Sequence, residues 1–166
     1  MIFHLRIVLN LHFRSLAFRL SIVELPGFVG VRALKVDVRS VFHNGLNLPE
    51  CGHGGRSGMF WHGTANLHGI VANNGVLTDA VRTLRGIQGF WTALDPRVAM
   101  QYASEWQVDN HTWRCLLHIE SRCANRGRNG QPAYYVTRSG CLRYTIDAIY
   151  LVPAESVRDV DINVRR

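Results

Sequence analysis

The chain carries one lysine, Lys35, among 19 basic residues, so its positive charge is almost all arginine. Arginine favours flat, two-pronged contact with phosphate or carboxylate over the point-charge contact of lysine. The four cysteines, Cys51, Cys115, Cys123 and Cys141, include no C-x-x-C pair. That spacing excludes a zinc ribbon, and no metal site is read from the sequence. No uncharged apolar run approaches the ~20 residues needed to cross a bilayer. The apolar N-terminal stretch is broken by His4, Arg6, His12, Arg14 and Arg19. No acid precedes Glu24, and that composition fits an organellar transit peptide as well as a leader or extra strands. There is no repeat and no low-complexity tract, which excludes solenoids and arrays.

What remains is the composition of a globular domain. The 166 residues suit one core, and 47% of them are hydrophobic. The formal net charge is +7, which makes an anionic partner, nucleotide or nucleic acid, a reasonable target. The cysteines read as free thiols in an intracellular protein, cytoplasmic or nuclear, with Cys115 a buried small hydrophobe in "WRCLLHIE".

Periodicity divides the chain. "ALKVDVRSVF" (Ala33 to Phe42) alternates and predicts a strand. The Gly-, Asn- and Pro-rich stretch His43 to Gly58 predicts a loop and the main boundary. Residues 1–43 are therefore set apart as a leader or extra strands, and residues 44–166 as the functional domain. "MFWHG" predicts a short buried strand. Thr64 can cap a following helix whose face is Leu67, Ile70 and Val71, ended by Gly75. "VLTDAVRTLRGIQ" predicts a connecting loop, and "GFWTA" (Gly89 to Ala93) a strand. Asp95 and Pro96 then open a helix carrying Tyr102. "TWRCLLHIES", "AYYVTRS", "RYTIDAIYLV" and "VRDVDINV" predict four more strands. The alternation of strand and helix, followed by a run of strands, predicts an α+β fold with a mainly antiparallel sheet.

The stretch "MFWHGTANLHGIVANNG" places His62 at the end of an apolar strand and before a helix start. Gly63 has no side chain to block approach to its backbone. A helix N-terminus offers unpaired N–H groups and a positive dipole end. These features suit a polar or anionic small molecule. Further on comes "GFWTA-x-D-P-x-x-A-x-x-Y-A", a glycine-led strand followed by a capped helix with Tyr102.

The pair of motifs resembles the ADP-ribosyltransferases of the diphtheria-toxin and poly(ADP-ribose) polymerase type. The resemblance covers Met59 to Trp106, with a looser fit beyond. It implies a split antiparallel β-sheet with a few short helices, and NAD as co-substrate. It also implies roles. His62 would contact the adenosine-side ribose, Gly63 would bond the carboxamide through its backbone, and Thr64 would support the ribose. Trp91 and Tyr102 would clamp the nicotinamide ring. Ala99 stands where the polymerases often have a serine.

The family's third element is a glutamate opening a late strand. Here that strand is "RYTIDAIYLV", and Asp147 is the nearest acid. Adjacent strand residues face opposite sides, so Asp147 reaches a cleft only if a bulge or register shift turns it. The implied catalytic set is His62, Tyr102 and Asp147. The implied function is mono-ADP-ribosyl transfer from NAD to a protein or nucleic-acid acceptor. Two alternatives stand beside it. One is a non-catalytic domain of the same fold binding NAD, ADP-ribose or nucleic acid. The other is an enzyme like the RNA 2′-phosphotransferases. Arg122, Arg126 and Arg128 form a basic loop, read as solvated.

Overall fold

The computed structural model describes residues 19–38, 55–64, 67, 81–84, 87–108, 110–126, 134–138 and 144–158. Among them run nine strands: β1 (Arg19–Glu24), β2 (Arg32–Asp37), β3 (Arg56–Thr64), β4 (Val81–Leu84), β5 (Ile87–Ala93), β6 (Glu105–Val108), β7 (His111–Arg126), β8 (Tyr134–Arg138) and β9 (Tyr144–Pro153). One α-helix, α1 (Pro96–Met100), lies between β5 and β6. A 3-10 turn, Ala154–Val157, follows β9.

The strands form one sheet in the order β1-β2-β9-β7-β3-β5-β4, with β6 on β7 and β8 on both β5 and β7. Every pairing is antiparallel. This corrects the α+β expectation and its split sheet with several short helices: the chain is predominantly β, with one short helix among the described residues. The physical reason is visible in two segments. "VLTDAVRTLRGIQ" contributes β4, which pairs with the start of β5 instead of looping past it. The helix begun by Asp95 and Pro96 lasts only five residues. It then tightens, with the Tyr102 N–H on the Ala99 carbonyl and the Ala103 N–H on the Met100 carbonyl. Tyr102 therefore sits just past the helix, and "SEW" enters β6.

Other boundaries also move. β3 begins at Arg56, inside the predicted loop, and keeps Thr64 as its last residue. Leu67 is helical and buried. The rest of its predicted helix, and the predicted last strand from residue 159 on, lie outside the described residues. So do residues 1–18 and 39–54. Residues 19–38 form a hairpin that joins the sheet through β9. Its turn holds Gly27 at φ 80, where a Cβ would press to 2.9 Å from the ring of Pro96. Cys115 is a buried free thiol, its pKa pushed up by burial. Cys123 is disulfide-bonded, which corrects the free-thiol reading. No described helix is long and apolar enough to cross a membrane.

Alternation gives the sheet two faces. One is hydrocarbon: Leu34 and Val36 of β2, Cys115, Leu117 and Ile119 of β7, Ile146, Ile149 and Leu151 of β9, with Phe90 and Leu67. The other bears α1 and the β1–β2 turn: Trp61, Ala93, Val98, Ala99, Met100, Leu116, Ala148 and Tyr150 pack there. Truncating a buried leucine such as Leu117 to alanine costs about 2–5 kcal/mol in cores of this kind. At its far end β7 curls to pair Asn125 and Arg126 with β8, closing the circuit β7-β3-β5-β8. Phe60, Ala124 and Tyr135 pack together there.

Candidate functional site

Besides a register shift between Arg56 and Gly58 of β3, the sheet departs from regular pairing at two places that involve residues singled out by the sequence. The first lies between β3 and β5. Their ladder consists of a single pair, Trp61 with Ala93. Beyond it the strands part, and β5 pairs on its other side with β8. The imidazole of His62 spans the parting: Nδ1 donates to the carbonyl of Trp91 at 2.8 Å. A carbonyl can only accept, so the neutral ring carries its proton on Nδ1. The ring also lies against Phe90, centroids 4.4 Å apart.

Gly63 follows on the opposite side. A Cβ there would collide with the Ala99 carbonyl and meet the Ala103 nitrogen at 2.7 Å. The glycine is thus explained by the seat of α1 on β3. The helix, not a ligand, occupies that side of its Cα. Asp95 caps α1, accepting from the Arg97 N–H at 2.9 Å and from its guanidinium. The Arg97 side chain, more than opposing burial, holds the Asp95 carboxyl below its ordinary range.

Three sequence-named elements are therefore neighbours: β3 with His62–Thr64, β5 with Trp91, and α1 with Ala99 and, just past its end, Tyr102. They do not share one face. By alternation, His62 and Thr64 point to the side of Phe90, and Trp61, Gly63 and Trp91 to the helix side. Thr64 is buried opposite Cys115. Ala99 is buried under the helix. Tyr102 is half exposed on the helix side, its hydroxyl 3.1 Å from that of Tyr134.

The second departure is in β9. Ile119 faces Ile146 and His118 faces Ala148, so Asp147 is an extra residue opposite neither. The bulge reverses the alternation: Ile146 belongs to the hydrocarbon face and Ala148 to the helix-bearing one. The Val38 N–H takes the Asp147 carbonyl at 3.2 Å. The Asp147 carboxylate turns to His118, accepting from Nδ1 at 3.1 Å. A bulge, one of the two irregularities that could turn Asp147, is present. It brings Asp147 to His118, however, and not to His62. β7 lies between β9 and β3, which puts Asp147 about 10 Å across the sheet from β3 by strand spacing.

A register row on the helix-bearing face links the two places. It runs Asp37, Ala148, His118, Trp61, Ala93, Tyr134 across β2, β9, β7, β3, β5 and β8. Trp61 lies 4.5 Å from the His118 ring and 5.1 Å from Tyr150. Lys35 pairs with Asp37 at 3.2 Å. Burial works against the Lys35 ammonium, yet the hydrogen bond to Asp37 and the charges of Tyr150, Asp37 and Asp147 together raise its pKa. Burial raises the Tyr150 phenol, with Lys35 opposing. Among the described residues, no group of three or more His, Cys, Asp or Glu could hold a metal ion.

Sequence reasoning missed His118, Trp61, Tyr134, Tyr150 and Lys35. One signal was available for His118: a histidine inside the apolar run "RCLLHIE" is out of place unless it meets a polar partner. No family model matches the chain, and no curated protein matches it.

Proposed function

We propose that the protein is an NAD-dependent mono-ADP-ribosyltransferase that seats its dinucleotide at the parted margin of β3 and β5. The observation that supports this reading most is the bond from His62 Nδ1 to the Trp91 carbonyl. It joins the two motif strands where their ladder ends, next to the helix that delivers Tyr102. Trp91 and Tyr102 offer flat faces to the nicotinamide ring, each worth about 1–3 kcal/mol by analogy with base stacking on aromatics.

Nicotinamide leaves with the electron pair of its bond to C1′, and the acceptor bonds to that carbon. Asp147 is not at this margin, so chain elongation is not part of the proposal: one ADP-ribosyl group is transferred. A second reading, binding of NAD or ADP-ribose without chemistry, draws on one observation. The helix-side approach to Gly63 is filled by α1, leaving its carboxamide contact to the strand edge alone.

The test is incubation with NAD labelled in the adenosine half, following nicotinamide release and protein-bound label in parallel with His62→Ala and Tyr102→Ala. Release and transfer that both substitutions reduce at least tenfold support transfer. Binding without release supports the second reading. Affinity for RNA with a steep salt dependence and none for NAD overturns both.

A further inference from the structure

The His118–Asp147 pair has the form of an oriented base. Asp147 reaches it only because β9 carries an extra residue, and bulges recur beside active sites, where they re-aim a side chain. With the carboxylate on Nδ1, the neutral ring presents Nε2 as a lone pair. Both side chains reach solvent, 21% and 22% exposed. His118 lies directly opposite Trp61, the residue before His62, on the face from which Tyr102 approaches. The surroundings are acidic and aromatic. Tyr150 and the bulge stand on β9, Lys35 and Asp37 on β2, and Glu120 shares the His118 face of β7 by alternation.

We propose that His118, oriented by Asp147, is the general base that takes the proton from a hydroxyl acceptor during ADP-ribosyl transfer; this rests on the function proposed above. The bond from C1′ to the nicotinamide nitrogen breaks, and its electron pair leaves with the ring. The acceptor oxygen bonds to C1′, and its proton passes to Nε2 of His118 and then to solvent. The acceptor class follows from the presence of the base. A carboxylate acceptor is already an anion and needs none, whereas a neutral hydroxyl does. Asp147 is a positioning residue: it touches His118, not the substrate.

The experiment uses the full chain with NAD and two synthetic peptides, one with serine as its only acceptor and one with glutamate. NAD affinity is read separately from tryptophan fluorescence. The wild type labels the serine peptide, and His118→Ala lowers kcat by about 10²-fold or more, with the NAD Kd within twofold. Free imidazole restores part of the loss in His118→Ala. Asp147→Asn lowers kcat about tenfold with the KM for NAD unchanged. His118→Ala within threefold of wild type, or no rescue by imidazole, overturns the assignment. Labelling of the glutamate peptide in preference to serine overturns the acceptor class. His118→Gln guards against misfolding: if it and His118→Ala both lose NAD binding, His118 is structural and the proposal falls. A wild type that does not bind NAD removes the transferase reading itself, a result distinct from all of these.

Discussion

Two of the irregular places in the sheet solve different problems. Between β3 and β5 a ladder is given up after one pair, and a side chain, His62, bridges strands whose backbones have parted. Between β7 and β9 the ladder is kept, but β9 carries one residue too many and Asp147 changes face. In the first, the edge of β5 that β3 leaves passes to β4. In the second, a side chain changes face. A sheet can thus build a site either by withholding backbone pairing or by shifting side-chain parity, and here both occur on one register row joined by Trp61.

The largest effect is expected at Gly63. Gly63→Ala puts a methyl into the backbone of α1, where nothing flexible can yield. A loss of about 3 kcal/mol is expected from such overpacking, read as a fall in the urea midpoint at constant slope. The same change at exposed Gly30, where a Cβ meets nothing within 4 Å but φ is 73, should cost only the local strain, about 1 kcal/mol.

His62→Ala and Asp147→Ala weigh the two irregularities against each other. Losing the bridge leaves the Trp91 carbonyl without its His62 donor at a margin with one ladder pair, and should cost about 1.5 kcal/mol. Losing the Asp147 carboxylate leaves a partly exposed imidazole that water can reach, and should cost about 0.5–1 kcal/mol. Equal losses in thermal or urea unfolding would mean that the parted margin is no weaker than the bulge.

The smallest effect lies at the helix seated on the first margin. The Asp95 pKa is lowered in the folded protein, chiefly by the Arg97 side chain. The unfolded chain therefore binds more protons in acid, and Asp95 contributes stability above its unfolded pKa of about 3.9 that is lost as pH falls through the lower folded value. Asp95→Ala should cost about 1 kcal/mol at pH 7, and its difference from wild type should shrink below about pH 4, measured by urea unfolding across pH.

Much of the strand pattern was legible. β5, β8 and β9 lie within two residues of their predicted ends, because their alternation and flanking turn residues are strong. The Asp95–Pro96 start of α1 was equally plain. The length of α1 was not, since its end is set by the turn into β6, which pairs Trp106 with Trp113. Nor was β4 legible, because a mixed segment becomes a strand only when a neighbouring edge is offered. At the site, His62, Trp91 and Tyr102 were found on neighbouring elements. Asp147 was tied to the right question, whether a bulge turns it, but its partner His118 lies on another strand and no spacing announces it.

By itself the sequence determined which segments could be strands, where the one described helix starts, and which residue types were available for chemistry, because those depend on periodicity, caps and side-chain identity within a few residues. Only the tertiary structure decided that β8 closes a circuit onto β7, that β3 and β5 part after one pair, and that Asp147 changes face. Each of these is a matter of register between strands distant in sequence, and register is settled by the packing of whole faces rather than by any local preference.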